Sequence, residues 1–216
     1  MSKIAIIGGT GAEGLGLAMR FAKAGEQVFI GSRAVERAEE AANKVKEKLP
    51  EAKVKGLTNA EAVEQATVVF LTVPWDAHQS TLEHLAEAIG EKILVDVVVP
   101  MLFDRGVPKA IFVDEGSAAQ QARALAREAK VVSAFHHLDG TDLQNADRPM
   151  QGDVLVCGDH KGAKKTVMDL VEKVEYVRAL DAGPLSNSRY LEEFTVLLLQ
   201  INKQYKAHSG VRITGV

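Results

Sequence analysis

The chain has 216 residues, 46% of them hydrophobic and 25% charged, and a formal net charge of −3 at pH 7. That balance fits a soluble globular protein of one large domain, or a domain with a small appendix, and it excludes the basic field that nucleic-acid binding requires. The single cysteine, Cys157, rules out an internal disulfide, and the apolar run from Ile93 to Phe103 is broken by Asp96 and Pro100, far short of the roughly 20 residues of a membrane span.

The chain opens on a short apolar strand, Lys3 to Ile7, that runs directly into Gly9-Thr10-Gly11-Ala12-Glu13-Gly14. Leu15, Ala18, Met19 and Ala22 then recur at helical spacing. Gly-x-Gly-x-x-Gly between a strand and an amphipathic helix is the dinucleotide fingerprint in its proper context. Gly9 suits the sharp turn, Gly11 lets the backbone approach a pyrophosphate, and Gly14 lets helix and strand pack closely. Phosphates then rest on free amides at the positive end of the helix. Only four apolar residues separate Lys3 from the glycines, too few for the core of a secretory signal, so a cytoplasmic location is expected.

The second strand, Gln27 to Gly31, leads to Ser32, Arg33 and, one helical turn later, Arg37. Folds that select NAD place a carboxylate at this tip to hold the ribose hydroxyls. Here a hydroxyl and two guanidinium groups stand there instead, which suits the 2′-phosphate of NADP. The alternative is that Arg33 and Arg37 are ordinary surface charges partnered by Glu36 and Glu39.

Strand and helix signals then alternate: a helix from Val35 to Leu49, strands at Lys53–Gly56 and Thr67–Thr72, a helix over Asp76–Ile89 and a strand over Lys92–Val97. A loop containing Pro100, Gly106 and Pro108 is expected next, followed by a helix from Ser117 to Glu128 and a strand from Val131 to Phe135. Asp139 to Gln151 reads as a polar loop. Beyond it come a strand at Asp153–Cys157, a helix at Lys161–Val174, a strand at Tyr176–Leu180 and a terminal helix from Leu185 to Tyr205. Repeated β-α-β units of this length predict a doubly wound parallel sheet, residues 1–183, with a small helical element over 184–216. The terminal helix is apolar nearly all round through Phe194, Val196, Leu197, Leu198, Leu199 and Ile201. It is therefore expected to be buried, either capping the carboxyl edge of the sheet, where it closes the pocket, or against a second copy in a homodimer.

Ligands of such sheets lie beyond the carboxyl ends of the strands. Val73, Pro74, Val99, Pro100 and Leu138 make an apolar mouth there, and Trp75, the sole tryptophan, is expected to line it. His136 and His137 are adjacent on an extended segment and point to opposite faces, so no metal site is expected. His78, at the start of a helix, reads as a surface or groove residue. No Ser-His arrangement and no Tyr-x-x-x-Lys is present, so there is no evident acid/base machinery. Direct hydride exchange between two carriers, which asks the protein for alignment and exclusion of water, is the chemistry left.

Several motifs together resemble the F420-dependent NADP oxidoreductases, also called NADPH-dependent F420 reductases. They are Gly8-Gly9-Thr10-Gly11 with Gly14 and Gly16, Ile30-Gly31-Ser32-Arg33, Leu71-Thr72-Val73-Pro74-Trp75, Val132 to His136, Val156 to Asp159, and Leu180 to Arg189. The resemblance covers the whole chain and implies hydride transfer between C5 of the deazaflavin coenzyme F420 and C4 of NADP. It places the phosphate turn on Thr10, Gly11, Ala12 and Glu13 and the 2′-phosphate binders on Ser32, Arg33 and Arg37. It places the nicotinamide groove on Pro74, Trp75, Val99 and Ala134, and the deazaflavin pocket on His136, His137, Leu138 and the tail near Gly210. Glu13 in the phosphate turn departs from the family pattern and is expected to face solvent; residues Leu138 to Gln151 also differ. An NADPH-dependent flavin reductase and a non-catalytic NADP sensor remain open as alternatives.

Overall fold

In the first strand, β1 (Lys3–Ile7), Ile4 and Ile6 point to one side and Ala5 and Ile7 to the other. All four are without exposed surface. A strand apolar on both faces belongs in the middle of a sheet covered on both sides. The computed structural model, which describes residues 1–216, places it there.

The elements that follow are α1 (Ala12–Lys23), β2 (Gln27–Ser32), α2 (Val35–Lys48), β3 (Val54–Thr58), α3 (Asn59–Gln65) and β4 (Val68–Leu71). Next come α4 (Trp75–Ile89), β5 (Ile93–Asp96), a hairpin of β6 (Met101–Asp104) and β7 (Val107–Ala110), α5 (Ala118–Leu125) and β8 (Lys130–Ser133). The chain ends with α6 (Gly140–Gln144), β9 (Gly152–Gly158), α7 (Lys161–Val171), β10 (Val177–Asp181), a 3-10 turn at Leu185–Asn187 and α8 (Ser188–Tyr205). Eight strands form one sheet in the order β10-β9-β8-β5-β4-β1-β2-β3, and the hairpin stands apart. One face of the sheet packs on α1, α2 and α7 around the ring cluster Phe21, Phe70 and Phe135, with centroids 5.1–5.9 Å apart. The other face packs on α3, α4 and α5.

Three features depart from the sequence reading. The stretch expected as a loop after Pro100 carries the β6–β7 hairpin, and a short helix, α3, follows β3, fixed by a capping box between Thr58 and Glu61. The polar stretch 139–151 contains α6, which seats against α1. Arg20, only 3% exposed, donates to the carbonyls of Asp142, Leu143, Asn145 and Ala146 at 2.7–3.4 Å. These are the carbonyls that a helix end leaves without partners. The helix α6 packs on α1, and β9, reached without a crossover, pairs antiparallel with β8. The helix α7 then crosses normally, and β10 runs parallel to β9.

The terminal helix is less buried than its composition implies. Leu191, Val196 and Leu198 are buried, whereas Phe194 is 38% and Leu197 48% exposed. Glu192 anchors it: the buried carboxylate side chain accepts the amides of Ala118 (2.9 Å) and Ala119 (3.3 Å) at the start of α5. None of the helices is long and apolar enough to cross a membrane.

Candidate active site

Beyond the carboxyl ends of the parallel strands lies a cavity of about 1170 Å³. Its first wall is the fingerprint turn. Gly8 has φ +79°, a left-handed conformation that side chains other than glycine's rarely adopt. The helix α1 starts at Gly11 without a side-chain cap, which leaves its first amides free for a ligand. Gly14 is a close approach: a Cβ there would sit 2.5 Å from Thr72 Oγ1 and 2.7 Å from Gly9 Cα.

The second wall comes from the end of β2. Ser32 is buried and its Oγ accepts the Ala34 amide. Arg33 and Arg37 are exposed, line the cavity and form no ion pair, so Glu36 and Glu39 are not their partners. Two unpaired guanidinium groups at one cavity mouth are suited to a bound phosphate.

The third wall is apolar. Val73, Pro74 and Trp75 leave β4, and Val97 to Val99 leave β5. The chain then turns at Phe135, with φ +71°, and brings His136, His137 and Leu138 to the cavity. The two histidines do not diverge as an extended segment would make them; they sit in a turn with rings 6.2 Å apart. His137 is fixed by a hydrogen bond between Nε2 and the Leu191 carbonyl at 3.0 Å and by an edge contact with Phe194. His136 is 7% exposed and neither ring nitrogen has a partner. Burial, and secondarily His137, pushes its pKa down to about 3, so the ring is neutral at physiological pH. An unpaired buried imidazole is rare in folded proteins, and this one belongs to a residue that lines the cavity.

Thirteen of the sequence-selected residues therefore share one cavity: Thr10, Gly11, Ala12, Glu13, Ser32, Arg33, Arg37, Pro74, Trp75, Val99, His136, His137 and Leu138. Three do not line it. Gly9 is buried beneath the turn, and Ala134 has no exposed surface because its side chain faces the core one residue before the turn at Phe135. Gly210 lies just past Ser209, where an added Cβ would stand 3.7 Å from the carbonyls of Gln151 and His137. No sequence signal marks Met101, Leu102 and Phe103 of the hairpin, whereas Thr195, Leu198, Leu199 and Asn202 belong to the terminal helix α8; together they close the far side. The apolar stripe of α8 was the available signal.

Glu13 corrects another expectation. Its backbone packs against Gly140 at the start of α6, and its Oε1 is buried without a partner. Burial, and then the charge of Asp139, pushes its pKa up to about 8. The side chain is thus uncharged beside the phosphate turn at neutral pH. Since an unfolded glutamate ionises near its ordinary value of 4.5, the folded state loses stability as pH rises from there to about 8. Above that value a carboxylate appears next to the turn. Dinucleotide affinity is therefore expected to fall several-fold between pH 7 and pH 9 and to stay flat in Glu13→Gln, as measured by titration at both pH values. Parallel curves for the two proteins would assign the titration to another group.

Residues 3–100 match the family described as NADP oxidoreductase, coenzyme F420-dependent. The F420-dependent NADP reductase of Methanocaldococcus jannaschii is 42% identical over 221 residues, covering 99% of both chains. That of Methanothermobacter marburgensis matches at 42% identity with the same coverage. A protein of known structure from Arthrobacter sp. FB24 superposes with a TM-score of 0.84 at 25% identity, covering 99% of this chain and 100% of that one.

Proposed function

The chain belongs to the family of coenzyme F420-dependent NADP oxidoreductases, and on that premise we propose that it transfers a hydride between NADP(H) and the deazaflavin coenzyme F420. The observation that carries this reading is the composition of the one large cavity. It joins a phosphate-binding turn and two unpaired guanidinium groups to an apolar end that holds two buried imidazoles. The amides of Thr10 to Glu13 hold the pyrophosphate, and Ser32, Arg33 and Arg37 hold the 2′-phosphate. Pro74, Trp75 and Val99 face the nicotinamide, and His136, His137 and Leu138 face the deazaflavin.

The two coenzymes supply hydride donor and acceptor; the chain supplies alignment and a dry site. Neutral His136 fits that division of labour, because it brings no charge to the reacting carbons. Residues 1–183 form the dinucleotide-binding body in this reading, and residues 184–216 close the pocket. We extend it to a cytoplasmic homodimer, supported by the exposed apolar side chains Phe194 and Leu197 of α8 and Leu102 and Phe103 of the hairpin.

The test mixes the purified protein with NADPH and F420 and follows both absorbances. Bleaching of F420 in step with NADPH oxidation, with no comparable rate on FMN, is the expected result. Faster reduction of FMN would make the protein a flavin reductase, and no oxidation with either acceptor would make it a sensor. Light scattering at twice the chain mass is expected; a monomer would refute the dimer.

A further inference from the structure

His78 has no exposed surface, although its position at a helix start reads as that of a surface or groove residue. It does not line the cavity. Its Nε2 lies 2.7 Å from Asp96 Oδ2 and its Nδ1 2.9 Å from Gln121 Oε1. The Gln121 amide is oriented by its own donation to Glu115 Oε2 at 3.4 Å, which turns its oxygen toward the histidine. Both ring nitrogens thus face oxygen acceptors, an arrangement satisfied by an imidazolium paired with the Asp96 carboxylate. Burial alone pulls the ring toward neutrality; the Asp96 charge and the hydrogen bonds outweigh it and hold its pKa above the ordinary value.

Asp96 is equally buried, and its other oxygen accepts the Val98 amide at 2.9 Å. The pair therefore ties three elements together: the first turn of α4, the end of β5 and α5. The Trp75 ring, one turn before His78, stacks on the imidazole at 5.3 Å with a tilt of 29°. Trp75 on one side and Val97 to Val99 on the other line the cavity. A buried ion pair is a weak source of stability compared with apolar packing of the same volume. What this one does supply is a fixed distance between two cavity walls.

We propose that His78 is a positioning residue for hydride transfer: held by Asp96 and Gln121, it fixes the Trp75 indole and the Val97–Val99 strand end as the two walls that align the nicotinamide. This rests on the hydride-transfer reading above. Because His78 touches no ligand, its effect is expected in the geometry of the reacting rings, where a displacement of about 1 Å costs about a hundredfold in rate. Binding through the phosphates, which lies elsewhere, should be spared.

Trp75 is the only tryptophan, so its emission reports on this contact without any ligand. In His78→Gln, loss of the stacked cation is expected to raise Trp75 emission and its quenching by acrylamide. The same variant is expected to lower kcat by about ten- to a hundredfold, with KM for NADP within about threefold of the parent. Gln121→Met, which keeps the His78–Asp96 pair, should move both readouts in the same direction by less. It carries the same test if His78→Gln does not fold. The proposal is overturned if Trp75 emission changes while kcat does not, if kcat falls with Trp75 emission unchanged, or if KM rises as much as kcat falls. Absence of F420–NADP turnover in the unmutated protein refutes the reaction instead, while the tie between His78 and Trp75 is still read from fluorescence.

Discussion

With Arg33 and Arg37 both replaced by Ala, affinity for NADP falls by about a hundredfold or more, and affinity for NAD stays within about threefold. Each guanidinium lines the cavity with no carboxylate partner in the protein, so neither has an interaction to give up before it meets a phosphate. A charge-assisted hydrogen bond contributes about 1.5–3 kcal/mol. Both side chains are solvent-exposed, which argues for the lower end. Two such losses still amount to about 3 kcal/mol, or roughly two orders of magnitude. The effect should shrink with added salt, as screening weakens contacts at an open cavity mouth. Titration with both dinucleotides decides it: an equal loss for NAD and NADP would remove the 2′-phosphate from these two residues.

A second substitution strikes both dinucleotides alike. In Gly14→Val the new Cβ would fall 2.5 Å from Thr72 Oγ1 and 2.7 Å from Gly9 Cα, and 3.0 Å from the Gly8 carbonyl. Two of these neighbours are backbone atoms of the turn proposed to hold the phosphates, so relief has to come from moving the turn itself. Thr72 cannot simply rotate away, since its hydroxyl donates to the Ile7 carbonyl at 2.9 Å. Overpacking of this kind costs about 1–3 kcal/mol, which for a chain of this size is a fall in melting temperature of roughly 2–12 °C. Dinucleotide affinity is expected to drop by about a hundredfold or more for NAD and NADP together, because the amides aimed at the pyrophosphate lose their common geometry. A protein that melts lower yet binds NADP with its original affinity would show that the turn is structural only. The two experiments are complementary: the arginine pair separates the dinucleotides, and the glycine does not.

Much of the site follows from local signals. The apolar run Ile4 to Ile7, ending on glycines and followed by residues at helical spacing, specifies strand, turn and helix by periodicity alone. Gly14 is required by a contact between neighbouring elements, Gly9 and the end of β4, which the fingerprint spacing already encodes. The absence of a carboxylate after β2 is likewise readable along the chain, and Arg33 and Arg37 do reach the cavity.

What only the tertiary structure decided involves partners far apart in sequence. The segment between β8 and the antiparallel β9 holds a five-residue helix, α6, too short to show a period and docked through Arg20 to carbonyls more than a hundred positions away. The same helix packs on the Glu13 backbone, and burial of one carboxyl oxygen turns an expected surface charge into a neutral group. His78 is buried because Asp96 and Gln121, 18 and 43 residues on, meet it in the fold. Nothing near His78 in the chain announces them. Periodicity and turn chemistry report the environment a residue shares with its neighbours, so they specify the elements and the fingerprint. Burial of a charge depends on which distant group arrives to compensate it, and that is settled when the elements pack.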